Sequence, residues 1–271
     1  MITEPRSHSA LDERADASGA AESREPLAPG PLVNTERAIP YVARILQQHL
    51  IEDAAGRCWT GDGTAVLVDI SGFTKLSEQL ARKGREGAEQ ITELIGRSFE
   101  AILLVAYENG GSLLKFGGDS LLLWFERERH AARACRATVL MREALDDVGR
   151  IEVPGASVTL RMSQSVHTGR FHFFAVGTSR VELLPAGPAW SRAVVMEREA
   201  DAGEILLSPE TAALLPSSCL GEPKVPGVLL QREPPGVTEK LPLIARPRMP
   251  PETLLRCLSP AIRDHVLGGF R

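Results

Sequence analysis

The sequence predicts an α+β fold, in which helices pack on one face of a mixed β-sheet. A short apolar run, AVLVDI, follows GDGT and has the composition of a buried strand. Residues 86–109 carry apolar side chains at helical spacing and stop at Gly110-Gly111, which predicts one long helix. Two further apolar runs, SLLKF and SLLLWF, flank Gly117-Gly118-Asp119 and predict a β-hairpin with a tight turn.

The other elements follow in chain order. A first helix is predicted over about 38–50, a short helix over KLSEQLARKG, and another over about 128–146. SVTLRMSQSV and RFHFFAV are predicted as antiparallel strands joined across His167-Thr168-Gly169. Strand VELLP, a helix over about 188–201, strand EILLS and a last helix near 251–267 complete the prediction. This order is typical of the palm-like, ferredoxin-like layout of several enzymes that move nucleotidyl groups.

Composition divides the chain into three regions. Residues 1–36 are rich in Ala, Ser, Glu, Arg and Pro, and we expect a disordered tail. Residues 37–215 carry the predicted core elements. Ten of the 19 prolines lie between Pro216 and Pro260, so residues 216–271 are predicted to form small strands, turns and a linker.

Charge and cysteine usage exclude several classes of partner. The formal net charge is -4, which argues against nucleic acid and anionic membrane as partners. No apolar run approaches the roughly 20 residues that span a bilayer, and the first residues lack the apolar stretch of a secretory signal. The four cysteines are scattered without a CxxC pair, which favours free thiols over zinc or disulfides. We therefore expect a cytoplasmic protein.

Two aspartates are the candidate catalytic residues. Asp69 ends the first apolar strand, and Asp119 lies in the predicted hairpin turn. A hairpin packed beside that strand would bring both carboxylates to one edge of the sheet. Carboxylates with a nearby backbone carbonyl suit Mg²⁺ or Mn²⁺, and two such ions can activate a hydroxyl and neutralise a leaving pyrophosphate.

A candidate phosphate-binding turn follows Asp69. Ser71, Gly72, Phe73 and Thr74 lead into a helix, whose exposed amides and dipole favour a bound phosphate. Gly72 allows close approach of the backbone, and Thr74 offers a hydroxyl. Taken singly, an aspartate at a strand end is more often a cap, and Gly-Gly-Asp is usually ordinary turn chemistry. Their combination, in this order around a long helix, favours the functional interpretation.

Four segments of the chain resemble class III adenylyl and guanylyl cyclase domains. They are VDISGFTKLSEQL, GGSLLKFGGDSLLLWF, VHTGRF and GPAWSRAVVMEREADAGEILLS, which lie within residues 62–208. The sequence is most similar to the first, metal-carrying half of soluble-type adenylyl cyclases. The resemblance implies that Asp69, Asp119 and the Ile70 carbonyl bind two divalent metals and that residues 71–74 hold the triphosphate of ATP, or alternatively GTP. It also implies in-line attack of the ribose 3′-hydroxyl on the α-phosphorus.

Lys115 stands four residues before Asp119, where the family has a lysine. In homodimeric relatives that lysine contacts the purine, whereas in the first half of the soluble type it lies in a regulatory pocket that also holds an arginine. The arginine position corresponds to Val194 here. Apart from the resemblance, Lys115 has the character of an edge-strand lysine that guards against aggregation. His167 is interpreted as structural.

The chain departs from the family on one helix. Class III sites form between two domains, and the partner domain supplies an Asn and an Arg four residues apart. The corresponding positions are Ser191 and Val195, and the purine-contacting Asp falls at or near Leu184. Neither Ser nor Val can stabilise charge on a pentacovalent phosphorus. Arg192 and Arg198 lie on the same helix but on other faces, since neighbours along a helix turn by about 100° per residue.

Three hypotheses follow. The chain is the catalytic half of a cyclase, which acts with a second cyclase-type domain or as a homodimer. Alternatively, it is a non-catalytic, nucleotide-binding regulatory module. A diguanylate cyclase of the GGDEF type is a third hypothesis, since FGGDS echoes that motif, but the acidic residue expected after Asp119 is absent.

Overall fold

The computed structural model describes residues 38–153, 156–237 and 249–267. The tail predicted for residues 1–36 lies outside this part of the chain. The strands are β1 Cys58–Ser71, β2 Gly111–Gly117, β3 Ser120–Phe125, β4 Arg150–Val153, β5 Ala156–Thr159, β6 Arg161–Val176, β7 Glu182–Ala186, β8 Ile205–Leu207, β9 Leu220–Lys224 and β10 Gly227–Leu230. The helices are α1 Arg44–Glu52, α2 Phe73–Ala81, α3 Arg85–Glu108, α4 His130–Val148, α5 Pro188–Glu199, α6 Pro209–Ala212, α7 Pro251–Arg256 and α8 Pro260–Leu267.

The main sheet has eight strands, in the order β2-β3-β1-β6-β8-β10-β9, and β7 pairs with β6. The β6–β8 pair is parallel and the other pairs of this sheet are antiparallel. β4 and β5 form a separate two-stranded sheet. The predicted α+β class with a mixed sheet is therefore confirmed.

The helices are divided between two faces of the sheet, whereas the sequence predicted one. Alternate residues of β1 point to opposite faces. Val66, Val68 and Ile70 pack in a core cluster with residues of α2, α3 and α4. Ala65 packs in a second cluster with Ile45 of α1 and Trp190 of α5. The rings of Trp124, Phe171 and Phe173 fill this second cluster, so it is built largely from aromatic side chains.

The predicted hairpin across His167-Thr168-Gly169 is wrong, since these residues lie inside one 16-residue strand, β6. β1 is also longer than predicted and pairs with β6 from Cys58 to Ser71. Polar residues can be buried in the middle of β1 and β6 because their hydroxyl groups hydrogen-bond to each other. Thr168 Oγ1 lies 2.7 Å from Thr64 Oγ1. Gly63 of β1 lies under the Trp124 ring, where a Cβ atom would be 2.4 Å from a ring carbon.

The sheet continues beyond residue 215, where the sequence predicted the end of the core. β9 and β10 pair with each other, and β10 pairs with β8, so strands of the main sheet extend to Leu230. The last predicted helix is two short helices, since Ser259-Pro260 begins a new one. In the part of the chain that the structure describes, no helix combines the length and the hydropathy needed to cross a membrane.

Trp124 is the centre of the aromatic cluster, and we expect its truncation to destabilise the fold strongly. The side chain is fully buried, and its ring centroid lies 5.1 Å from Phe171 and 5.2 Å from Phe173. Trp124→Ala should lower the free energy of unfolding by about 3–5 kcal/mol, because it removes the ring contacts and leaves a cavity. Urea denaturation measures this change. Leu214→Ala, at a side chain that is 58% exposed, is the control and should change stability by less than about 0.5 kcal/mol.

Candidate active site

The β2–β3 hairpin places Asp119 beside Asp69. Asp69 of β1 pairs with Ser120, the first residue of β3, and the adjacent Asp119 lies in the turn. The amide of Ile70 donates a hydrogen bond to the Asp119 carbonyl oxygen, with an N–O distance of 3.2 Å. Gly118 precedes Asp119 with φ of +78°, a conformation that favours glycine. The two aspartates therefore lie on adjacent strands at one edge of the sheet.

The electrostatics of this edge favour a cation. Asp69 is half-buried, and burial together with the neighbouring Asp119 carboxylate raises the pKa of Asp69. Glu197, on α5, is a third acid near them that the sequence reasoning missed. Burial raises the pKa of Glu197, and so do the charges of Asp69 and Asp119. The only sequence cue was an acidic residue two positions after Val195, which carries no indication of this proximity.

The donor set suits Mg²⁺ or Mn²⁺ that is shared with a ligand. Among the described residues, no group of three or more His, Cys, Asp or Glu side chains is arranged to hold a metal. The Asp69 and Asp119 carboxylates and the Ile70 carbonyl are the candidate ligand oxygens, and Glu197 is a further acid nearby. Mg²⁺ is commonly bound by one or two carboxylates plus substrate phosphates and water, so a two-carboxylate site fits this ion.

The Ser71–Thr74 turn leads into α2 as predicted. Gly72 has φ of +106°, and a Cβ atom there would lie 3.1 Å from the Thr159 carbonyl oxygen. A side chain at position 72 is therefore strained by the backbone conformation and crowded by its neighbour. Ser71 and Thr74 are exposed. Phe73 is buried in the core, so its amide, and not its ring, is available to a bound phosphate.

Arg161 is a second residue that the sequence reasoning missed. It begins β6 and is the cross-strand partner of Ser71, and its backbone carbonyl accepts a hydrogen bond of 3.3 Å from the Ser71 hydroxyl. Arg161 is exposed. Cross-strand partners lie within a few ångströms of each other, so the backbone of a basic residue lies next to the phosphate turn. In sequence the two residues are 90 positions apart, and only the β1–β6 register brings them together.

Lys115 is exposed on β2, next to an irregularity in the β2–β3 pairing between Leu113 and Lys115. It lies on the same hairpin as Asp119. Val194, which stands at the position of the regulatory-pocket arginine, lies on α5 and is 39% exposed.

The positions of the expected Asn and Arg are on the surface of α5. Val195 is 50% exposed, and the Ser191 hydroxyl donates a 3.3 Å hydrogen bond back to the Gly187 carbonyl oxygen. Both residues line a cavity of about 400 Å³ that is walled by Pro209 and Pro226. Leu184, at the expected purine-contacting position, is also exposed, on β7. This surface offers no charged group at the two required positions.

Arg192 is held by an ion pair and does not replace the missing arginine in this structure. Its guanidinium pairs with the carboxylate of Glu210. The same carboxylate lies 3.7 Å from Nδ1 of His167, which is buried. The charge of Arg192 is thus paired within the chain.

Because His167 is buried, we expect the fold to lose stability in mild acid. Burial lowers the pKa of His167 below its ordinary value of 6.5, and Arg192 lowers it further, against the opposing effect of Glu210. The folded chain therefore binds the imidazole proton more weakly than the unfolded chain does. The free energy of unfolding should therefore fall as pH decreases through about 6.5 and below. His167→Gln should reduce this slope in urea denaturation at about pH 7.5 and 5.5, and an unchanged slope would contradict the assignment.

The chain has relatives among known cyclases. No family model matches it. It is 28% identical over 202 residues to adenylate cyclase type 10 of Mus musculus, an alignment that covers 70% of this chain. The human protein of the same name is 28% identical over 170 residues, or 61% of this chain. The chain spans only 12% and 10% of the length of these two relatives.

Solved structures share the fold. The guanylyl cyclase Cya2 superposes with a TM-score of 0.54 at 19% identity, over 69% of this chain and 100% of that one. The adenylyl cyclase CyaB from P. aeruginosa superposes with a TM-score of 0.51 at 23% identity, over 64% of this chain and 94% of that one. Its sequence relatives are therefore adenylate cyclases, and its fold is the one shared by solved adenylyl and guanylyl cyclase domains.

Proposed function

We propose that this chain is the metal-binding half of a nucleotidyl cyclase that converts ATP to cyclic AMP and pyrophosphate. One observation carries the proposal: the β2–β3 hairpin brings Asp119 next to Asp69, at the end of β1 where the phosphate turn begins. In the proposed reaction the ribose 3′-oxygen forms a bond to the α-phosphorus. The bond from that phosphorus to the pyrophosphate oxygen breaks, and the hydroxyl proton is lost.

The acidic residues of the sheet edge would hold the cations. Asp69, Asp119 and the Ile70 carbonyl would bind two Mg²⁺ or Mn²⁺ ions. Bound there, the metals would lower the pKa of the 3′-hydroxyl and neutralise the charge of the leaving group. Half-burial of Asp69 strengthens its interaction with a cation, because the surrounding dielectric constant is lower than in water.

The turn and its cross-strand neighbour would hold the triphosphate. The amides at the start of α2 point toward a bound anion, and the hydroxyls of Ser71 and Thr74 are exposed beside them. Arg161, across from Ser71, supplies a positive charge with the donor geometry that phosphate accepts. Lys115 is exposed on the hairpin, from which it would contact the purine or a regulatory anion.

The half of the site that stabilises the transition state would come from a partner. Ser191 and Val195 provide neither an amide nor a cation, and Arg192 is paired with Glu210. A symmetric homodimer would therefore have two incomplete sites. We propose that a second cyclase-type domain with the missing Asn and Arg completes one site.

The deciding experiment mixes this chain with such a domain and measures cyclic nucleotide formation with Mn²⁺. ATP and GTP are offered in separate arms, since both adenylyl and guanylyl cyclases share the fold. Cyclic AMP that forms only in the mixture, and only with intact Asp69 and Asp119, supports the proposal. No cyclic nucleotide from either substrate would contradict it.

A second candidate function is a regulatory module that binds nucleotide without turning it over. The lack of an amide or a cation at Ser191 and Val195 and the Arg192–Glu210 ion pair favour it. The two functions differ in one result, because the regulatory module would bind Mn²⁺–ATP and stay inactive with every complementary domain.

A further inference from the structure

A basic cavity opens next to the phosphate turn, between the end of α4 and the start of β6. It has a volume of about 410 Å³. Three arginines from three different elements line it together with one carboxylate, one hydroxyl residue and a glycine: Arg142, Arg150, Arg161, Asp146, Thr159 and Gly203. Because Arg161 pairs with Ser71, the cavity adjoins the turn but extends away from it, toward α4 and β4.

The lining of the cavity carries more positive than negative charge, with three arginines and one carboxylate. Arg142 Nη1 donates a 2.9 Å hydrogen bond to the Gly203 carbonyl, which fixes that side chain at the wall. Arg150 and Arg161 are exposed, and their guanidinium groups make no ion pair or hydrogen bond with any residue that the structure describes. Asp146 is the single carboxylate of the lining. On its other side, Arg150 also borders a separate cavity that carries Asp147 and Glu152.

This arrangement matches a compact polyanion. A guanidinium group binds phosphate oxygens through two parallel hydrogen bonds, and Thr159 offers a hydroxyl donor. None of the lining residues is aromatic, so the cavity has no platform on which a purine would stack. We propose that the cavity is a second anion site, which adjoins the Ser71–Thr74 turn through Arg161 and binds inorganic pyrophosphate. The choice of pyrophosphate rests on the proposed function, in which it is the product released beside Arg161.

The test measures binding of pyrophosphate to the full chain by calorimetry, with the divalent metal removed by a chelator. We expect binding that weakens as salt is added. Arg150→Gln should weaken it about tenfold, because one lost charged hydrogen-bond pair corresponds to about that factor. Arg150 is exposed, so this variant should fold normally, and Arg142→Gln is the second variant. Arg85→Gln, at a 93% exposed arginine of α3, is the matched control and should bind as the wild type does.

Further arms separate this site from the metal site. Asp69→Asn should keep metal-free pyrophosphate binding, so a failure of the proposed cyclase function leaves this result intact. ATP without metal is tested alongside. If ATP binds with the same dependence on Arg150, the phosphates of a nucleotide occupy the same anion site. Pyrophosphate binding that is absent in the wild type, or equal in wild type and Arg150→Gln, would overturn the proposal.

Discussion

Purified alone, the chain is expected to bind ATP with Mn²⁺ but to form cyclic AMP very slowly. An arginine and an asparagine from a partner act on charge that grows in the transition state, so their absence lowers turnover more than affinity. Loss of one preorganised donor of this kind costs about 2.7–4 kcal/mol, or about a hundredfold to a thousandfold in rate. Two such groups are missing from α5, although their contributions need not add.

Complementation measures this deficit directly. We expect a cyclase domain with Asn and Arg at the two positions to raise turnover by at least about a hundredfold, with little change in the affinity for Mn²⁺–ATP. A second variant tests the same idea within one chain. Ser191→Asn combined with Val195→Arg should give a homodimer with measurable activity, and Ser191→Ala with Val195→Leu is the control that restores neither group. The exposure of Val195 means that the arginine enters no packed core.

High activity of the isolated chain would point to a different cation in the site. If the isolated chain forms cyclic AMP at ordinary enzymatic rates, another cation must act at the transition state. Arg192 is the nearest candidate on α5, and it would have to leave Glu210 to do so. Arg192→Gln would then abolish the activity, whereas it should leave a complemented pair unaffected if the proposal holds.

Local patterns in the sequence were sufficient for much of the fold and for part of the site. The apolar run before Asp69, the hairpin around Asp119 and the long helix α3 are each specified by neighbouring residues, and each is present near the predicted position. Asp69 and Asp119 could be placed together because a hairpin that packs beside β1 leaves its turn at the end of that strand. This reasoning needs only short-range structure and one pairing.

The remaining features depend on contacts that are distant in sequence. β6 continues through His167-Thr168-Gly169 because β1 offers Thr64 and Gly63 as partners, and no local pattern shows this. Pro223 lies in β9 and Pro226 in the turn before β10, and both favoured a linker, yet these strands complete the far edge of the sheet, where proline is tolerated. Arg161 lies beside Ser71 only through the β1–β6 register, and Glu197 approaches the aspartates only through the packing of α5.

Asp69→Asn should remove metal-dependent nucleotide binding and, without metal, make the fold slightly more stable. Mutation of an outer-shell partner of a metal already costs about 10–100-fold in affinity, so loss of a ligand should exceed that range. Without metal, the free energy of unfolding should rise slightly, because the half-buried Asp69 carboxylate is repelled by the Asp119 carboxylate. A neutral amide of the same shape removes this repulsion. Asp62→Asn is the matched control on the same strand. Asp62 is exposed and forms a 2.8 Å ion pair with Arg170, so its removal should leave nucleotide binding unchanged and should not stabilise the fold.

Thermal unfolding with and without Mn²⁺ measures both effects. In the presence of ATP, the metal should raise the melting temperature of the wild type and of Asp62→Asn. It should have little effect on the melting temperature of Asp69→Asn. Equal stabilisation of all three proteins by Mn²⁺–ATP would place the metal elsewhere and remove the main support for a cyclase site at this edge of the sheet.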